Sequence, residues 1–372
     1  MKIVIAPDSF KGSLSARDAA RAIADGIASV SGVSAELVCL PIADGGEGTL
    51  DALTSPESRV CVRVSGPLLD PVDAFYGRVG DVAVIEMASA AGLTLIEPAR
   101  RSAASTTTYG VGELIRRAWL DGYRHVMLTV GGSATNDGGC GMLASLGAVF
   151  TDRHGRSFLP TGGSLSEIAS IDLSGARKIL SDLRFTIATD VKNPLLGTNG
   201  ATAVYARQKG ATDAELDEME RGMAHYAALL RDLCGRNISA VAGVGAGGGL
   251  ASPLVAFADA EIRSGIDTVL SVNRFSEALS GADLVITGEG RLDKQSLWGK
   301  TISGVAREAG VRGIPVYCLV GCLGDPREEL LSMGIADVWE IVSLAASEED
   351  AIQNASRYLF PLGAELWRRL TE

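Results

Sequence analysis

The chain has 372 residues, 47% hydrophobic and 21% charged, a balance that excludes disorder and collagen-like structure and suggests two domains at about 150 residues each. Its net charge of −11 repels phosphate backbones, which argues against nucleic acid as a partner. Glycine is the departure: 45 residues, about 12% against an ordinary level near 7%, so the backbone either turns tightly at many points or approaches something closely.

Short β-branched runs alternate with helical stretches, the pattern of a largely parallel, buried sheet. The opening apolar run at 3–6 stops at Pro7-Asp8, too short for a secretory signal, and reads as a strand. A helix over 16–30 places Ala19, Ile23, Ile27 and Val30 on one face, with Ser15 and Asp18 as its start signal. A second strand follows at 37–40. From 58 to 80 apolar and polar residues alternate as in an antiparallel hairpin, so a domain boundary is placed near Arg59. Strands at 82–86, 125–130, 185–189, 284–287, 316–320 and 338–342 are separated by helices over 111–120, 139–146, 213–234 and 348–370. The charge-free stretch 238–258 is long enough to span a bilayer. Its five glycines and Pro253 make it a buried loop leading into a helix, and no membrane partner is expected.

Six of these strands run into loops rich in Gly, Asp, Ser, Thr and Lys, at 7–13, 43–49, 131–139, 190–194, 288–294 and 321–325. In open α/β sheets the ligand crevice lies beyond the carboxyl ends of the strands. The chain has 7 lysines against 27 arginines, and Lys11, Lys192, Lys209, Lys294 and Lys300 all lie in or beside such loops. Lysine suits phosphate oxygens as a point charge, and glycine-rich turns at helix starts offer backbone N–H groups to the same anions. Together with carboxylates they form what MgATP-dependent phosphoryl transfer requires. Taken singly, Asp8, Asp44 and Asp137 read equally well as helix caps or turn residues.

Other motifs lead less far. Gly299-Lys300-Thr301 mimics the end of a phosphate-binding P-loop, but Lys294 stands where its first glycine belongs. Gly243-x-Gly245-x-x-Gly248 fits a dinucleotide fingerprint without a convincing strand before it, so it is weak support for an NAD-dependent oxidoreductase and reads better as an anion-binding or close-packing turn. His125, His154 and His225 share no metal-ligand spacing, and Ser133 has no nucleophile-elbow context. The six cysteines are scattered without a C-x-x-C pair and read as reduced, mostly buried thiols of a cytoplasmic protein. No coiled-coil heptad appears, and a homo-oligomer is left open.

The segments KIVIAPDSFKGSLSA (2–16), PIADGGEGT (41–49), TTTYGVGELI (106–115), GGSATNDGGCGML (131–143), QKGAT (208–212) and DLVITGEGRLDKQSLWGKT (283–301) resemble, in order, those of the type I glycerate kinases. The resemblance implies MgATP-dependent phosphorylation of D-glycerate to 2-phosphoglycerate, with 3-phosphoglycerate or another small hydroxy acid as the alternatives. It implies two α/β domains: a flavodoxin-like, doubly wound parallel sheet from 1–60 and 240–372, and an inserted α/β domain with a mixed sheet at 61–239. In that frame Asp190 and Lys11 are the catalytic candidates. Asp8, Ser9, Lys11, Asn193 and Arg291 would hold substrate. Gly131, Gly132, Ser133, Thr135, Asn136, Asp137, Gly247, Gly248 and Lys209 would hold ATP, and Asp44, Glu47, Glu289 and Asp293 would hold Mg²⁺. The chain departs from the family pattern at Lys192, where many members carry an acidic residue, and at Ala206-Arg207, where Gly-Pro is frequent.

Overall fold

The computed structural model describes residues 1–30, 32, 34–293, 301–331 and 334–371. In chain order its strands are β1 (Lys2–Ile5), β2 (Glu36–Cys39), β3 (Arg59–Ser65), β4 (Pro71–Val79), β5 (Val82–Glu86), β6 (His125–Thr129), β7 (Val149–Thr151), β8 (Ser157–Phe158) and β9 (Ser170–Asp172). They continue with β10 (Arg184–Ala188), β11 (Glu261–Arg263), β12 (Leu284–Thr287), β13 (Arg291–Leu292), β14 (Val316–Val320), β15 (Cys322–Leu323) and β16 (Asp337–Glu340).

Two compact units divide the chain. The first comprises Met1–Asp44, Asp51–Leu53 and Ser264–Glu372, and the second Gly45–Leu50 and Thr54–Arg263. The first carries a five-stranded sheet in the order β16-β14-β12-β1-β2, every pair parallel. Counted within the sheet this is the flavodoxin-like 2-1-3-4-5 arrangement, whose strand order reverses between β1 and β12. β12 is buried at all four positions, as a central parallel strand covered on both faces must be. The helix Ala16–Ala28 starts where Ser15 accepts from the Asp18 N–H. Its Ile23 and Ile27 pack with Leu359 and Leu366 of the helix Ala355–Thr371 over Ile3, Ile5 and Ile286. The expected single helix over 348–370 is two, Glu348–Gln353 and Ala355–Thr371, interrupted at Asn354.

The second unit holds a mixed six-stranded sheet in the order β11-β10-β6-β5-β4-β3, antiparallel in the β3–β4–β5 meander and parallel beyond it, and a small antiparallel sheet β8-β7-β9. Its helix Asp213–Cys234 opens with the Glu215 carboxylate accepting from the Thr212 N–H and closes on Gly235 at φ +72. The segment 240–263, expected with the chain ends, lies in this second unit. Val244, Leu250 and Leu254 enter its core, and β11 pairs in parallel with β10 as the edge of its sheet. No helix among the described residues is long and apolar enough to cross a membrane. The six cysteines are free, and only Cys140 and Cys318 are buried. The expectation of mostly buried thiols is therefore corrected: Cys39 and Cys61 sit at exposed strand positions.

Candidate active site

In the first unit the loops leave the sheet where its order reverses. The Ala6 N–H donates to Ile286 O at 2.7 Å and the Asp8 N–H to Gly288 O at 2.8 Å, so the segment after β1 stays laced to the one after β12. A Cβ at Gly288 would stand 1.9 Å from Leu319 O, so only glycine lets this backbone cross β14. The Asp8 carboxylate accepts from the Ser9 N–H at 2.6 Å and from the Thr301 hydroxyl at 2.5 Å. Burial pushes its pKa up to about 6; the Thr301 hydroxyl opposes this and the neighbouring Asp44 carboxylate adds to it. Two residues on, Phe10 is buried and exchanges backbone hydrogen bonds with Leu14. The turn between them presents Lys11 to solvent. Loop 288–291 is held in turn by β14's exit, Gly321 N–H to Glu289 O at 3.0 Å and Cys322 N–H to Gly290 O at 3.1 Å. Arg291 follows, exposed and 3.5 Å from Glu348. Asp8, Ser9, Lys11, Asp44, Glu289, Arg291 and Asp293 thus all belong to this unit, whereas Glu47 belongs to the other. Lys294 and Lys300 lie outside the described residues.

The loop 131–139 of the second unit is built differently. Asp137 is fully buried and accepts from the Thr108 N–H and hydroxyl at 2.7 and 2.8 Å and from the Gly139 and Gly141 N–H groups at 3.1 Å. Burial pushes its pKa up, and those four donors pull it back. Asn136 is buried on Thr202. Lys209 is 2% exposed and donates to Thr135 O at 2.7 Å. Burial pushes its pKa down to about 7 against the pull of the Asp137 carboxylate. The run 243–249 closes over this loop: the Gly138 N–H donates to Gly248 O at 3.0 Å, and no strand precedes the run. That geometry is a close-packing turn and removes the dinucleotide fingerprint. Of the residues expected to hold ATP, Thr135, Asn136, Asp137, Gly248 and Lys209 are therefore interior, with Lys209 bonded to Thr135 O, Asn136 to Thr202 and Gly248 O to Gly138, while Thr135 Oγ1 and Asn136 Oδ1 are buried without a hydrogen-bond partner among the described residues. Gly131, Gly132, Gly247 and, at 9%, Ser133 retain surface.

At the carboxyl end of β10, Asp190 and Lys192 are exposed. Asn193 turns its side chain into the loop, donating to Asn199 O and accepting from the Tyr205 hydroxyl, both at 2.8 Å. The departure at Ala206-Arg207 is structural: Ala206 is buried, and Arg207 pairs with Asp213 at 2.7 Å. Two contributors escaped the sequence reading. Thr301 lies in the P-loop mimic and Thr108 in the TTTYGVGELI segment, and nothing in either run of residues ties its threonine to a carboxylate. The repeated threonines before a helix were the available signal.

Among the described residues no group of three or more His, Cys, Asp or Glu side chains forms a ready metal cage. Mg²⁺ needs none when phosphate oxygens complete its shell. Asp8 and Asp44 interact closely enough to raise Asp8's proton affinity, and a carboxylate pair of this kind is one that a cation would relieve.

The family model described as the glycerate kinase family matches residues 3–371. "Glycerate kinase" of Bacillus subtilis (strain 168) is 44% identical over 363 residues, which cover 96% of this chain and 95% of the relative. "Glycerate 2-kinase" of Escherichia coli (strain K12) is 40% identical over 359 residues, 95% and 94% of the two chains. A crystal structure from Salmonella typhimurium LT2, provisionally named glycerate kinase 2, aligns with a TM-score of 0.89 at 42% identity, covering 100% of this chain and 98% of that one.

Proposed function

Since the chain belongs to the glycerate kinase family, and is accordingly a phosphotransferase with ATP as donor, we propose that it phosphorylates the 2-hydroxyl of D-glycerate to give 2-phosphoglycerate. The name of the Escherichia coli relative, glycerate 2-kinase, supports that position. The observation that carries the chemistry is the placement of half-buried Asp8 and exposed Lys11 on one loop at the strand-order reversal, on a backbone laced to the next strand's exit.

Phosphoryl transfer through a loose transition state is mostly positioning and charge compensation. Lys11 meets the transferring phosphoryl group, and Arg291 holds the glycerate carboxylate. Asp8 and Asp44 would hold Mg²⁺, which supplies positive charge to the phosphate oxygens. Asp190 orients the glycerate hydroxyl and takes its proton as the new O–P bond forms and ADP departs with the old one. Such a transition state demands little base strength, so positioning is the larger part of Asp190's task. The accessible stretch Gly131–Ser133 is assigned to anion contact through its backbone. Asn193, committed to Asn199 and Tyr205, shapes the Asp190 loop.

A coupled ADP-release assay across D-glycerate, tartronate and tartrate, with the product read by ³¹P NMR, tests this. Signal from a 2-phosphate with D-glycerate preferred is expected; a 3-phosphate or another preferred acid would replace the reading. Asp190→Asn is expected to lower kcat by about 10²-fold or more, and a folded variant with unchanged kcat would remove Asp190 from the reaction.

A further inference from the structure

We propose that the cavity beside Lys11 and Arg291 in the first unit is the slot for the purine base of ATP, a placement that rests on the kinase reading above. The cavity has a volume of about 230 Å³. Its wall is largely apolar, formed by Phe10, Val342, Ala351, Ile352 and Ala355, and Lys11, Arg291 and the Glu348 carboxylate that pairs with Arg291 also line it. D-glycerate bears an oxygen on every carbon and has no apolar face to match such a wall. A purine does: it is flat, apolar on both faces and polar only at its edge.

The polarity of the slot orients the ligand. Lys11 lines the same cavity as Val342 and Ile352, so a base resting against those apolar side chains carries its phosphates toward Lys11. Gly290 and Gly321 line the same cavity with bare backbone. A Cβ at Gly321 would stand 2.2 Å from Gly290 O, so at these two positions the opening stays free of side chains. These loops follow β12 and β14, at the carboxyl edge where open α/β sheets take their ligands. Ile352 is 48% exposed, an apolar wall with room for a partner. The Ser13 hydroxyl donates to the Ile352 carbonyl, which ties that wall to the Lys11 turn.

Calorimetric titration of ATP and of inorganic tripolyphosphate into the wild type and Ile352→Trp, without D-glycerate, reads the slot alone. Filling it is expected to weaken ATP about tenfold or more, while tripolyphosphate affinity and the KM for D-glycerate stay within about twofold. Unchanged ATP affinity, an equal loss for tripolyphosphate, or a raised KM for D-glycerate alone would each overturn the assignment. Should circular dichroism show Ile352→Trp misfolded, Ile352→Ala, which trims the wall, is expected to weaken ATP about threefold. Because no acceptor is present in the titration, failure of glycerate-dependent ADP release would be seen separately from failure of the slot.

Discussion

The turn at 10–14 and the paired loops at 131–139 and 243–249 both depend on glycine, for opposite reasons. Gly12 has φ +77 and nothing within 4 Å of where a Cβ would stand; it shapes a turn that lifts Lys11 into solvent. Gly248 has φ +71, but its Cβ would stand 1.9 Å from Thr135 O, and what it closes over is a carboxylate, an amide and a lysine shut inside the unit. One leaves open space around a solvent-facing turn, and the other clears backbone for backbone. The same letters, Gly with Asp and Lys, therefore mark the proposed reaction surface in one unit and a polar strut in the other, and burial tells them apart.

Substituting the two glycines is the sharpest way to break this contrast. Gly248→Ala combines a left-handed residue, about 1–2 kcal/mol, with an overlap against fixed backbone, about 1–3 kcal/mol; a loss near 4 kcal/mol is expected in urea unfolding. Gly12→Ala meets the conformational cost alone and should lose about 1 kcal/mol. Equal losses would erase the distinction. Next in size is Asp137→Asn. An amide cannot accept from all four donors of Thr108, Gly139 and Gly141 and leaves Lys209 without its anion, so about 3 kcal/mol of stability should go, with any kinetic loss following from unfolding. Lys11→Met inverts that pattern: kcat/KM is expected to fall about 10²-fold or more at an unchanged urea midpoint. A Lys11 variant that loses stability instead of turnover would make its turn structural too.

The strands of the two main sheets were legible because a buried parallel strand must be apolar and β-branched over several residues. All eight expected strands occur, displaced by at most two residues, as at 338–342 against Asp337–Glu340. The helix Asp213–Cys234 matched at both ends because Thr212, Glu215 and Gly235 punctuate it. Strands of two or three residues such as β8, β13 and β15 are too short to show a period. The path of 240–263 into the second unit was not legible either, since β11 meets β10 only through a pairing distant in sequence. At the site, the strand-end loops announced themselves by composition. What composition could not carry is direction: Asp137 faces Thr108 across 29 residues, and Asp8 faces Thr301 across 293. Sequence spacing alone cannot distinguish a polar side chain turned to its own fold from one turned to a ligand.

Lys209 offers the gentlest test of the same distinction, through pH. Its ordinary pKa of 10.5 drops to about 7 in the folded chain, so between those values the unfolded chain binds the proton that the folded one has released. Stability must then rise with pH across the window from about 7 to 10.5, by at most about 1.4 kcal/mol per pH unit, and be flat in this group below it, where the full cost of a buried ammonium is felt. Lys209→Met removes the titration, and groups common to both proteins cancel in the difference. Urea midpoints at pH 6.5, 8 and 9.5 should therefore climb more steeply for the wild type than for the variant. Parallel curves would mean that the ammonium reaches water, and Lys209 would return to the set of residues available to a phosphate.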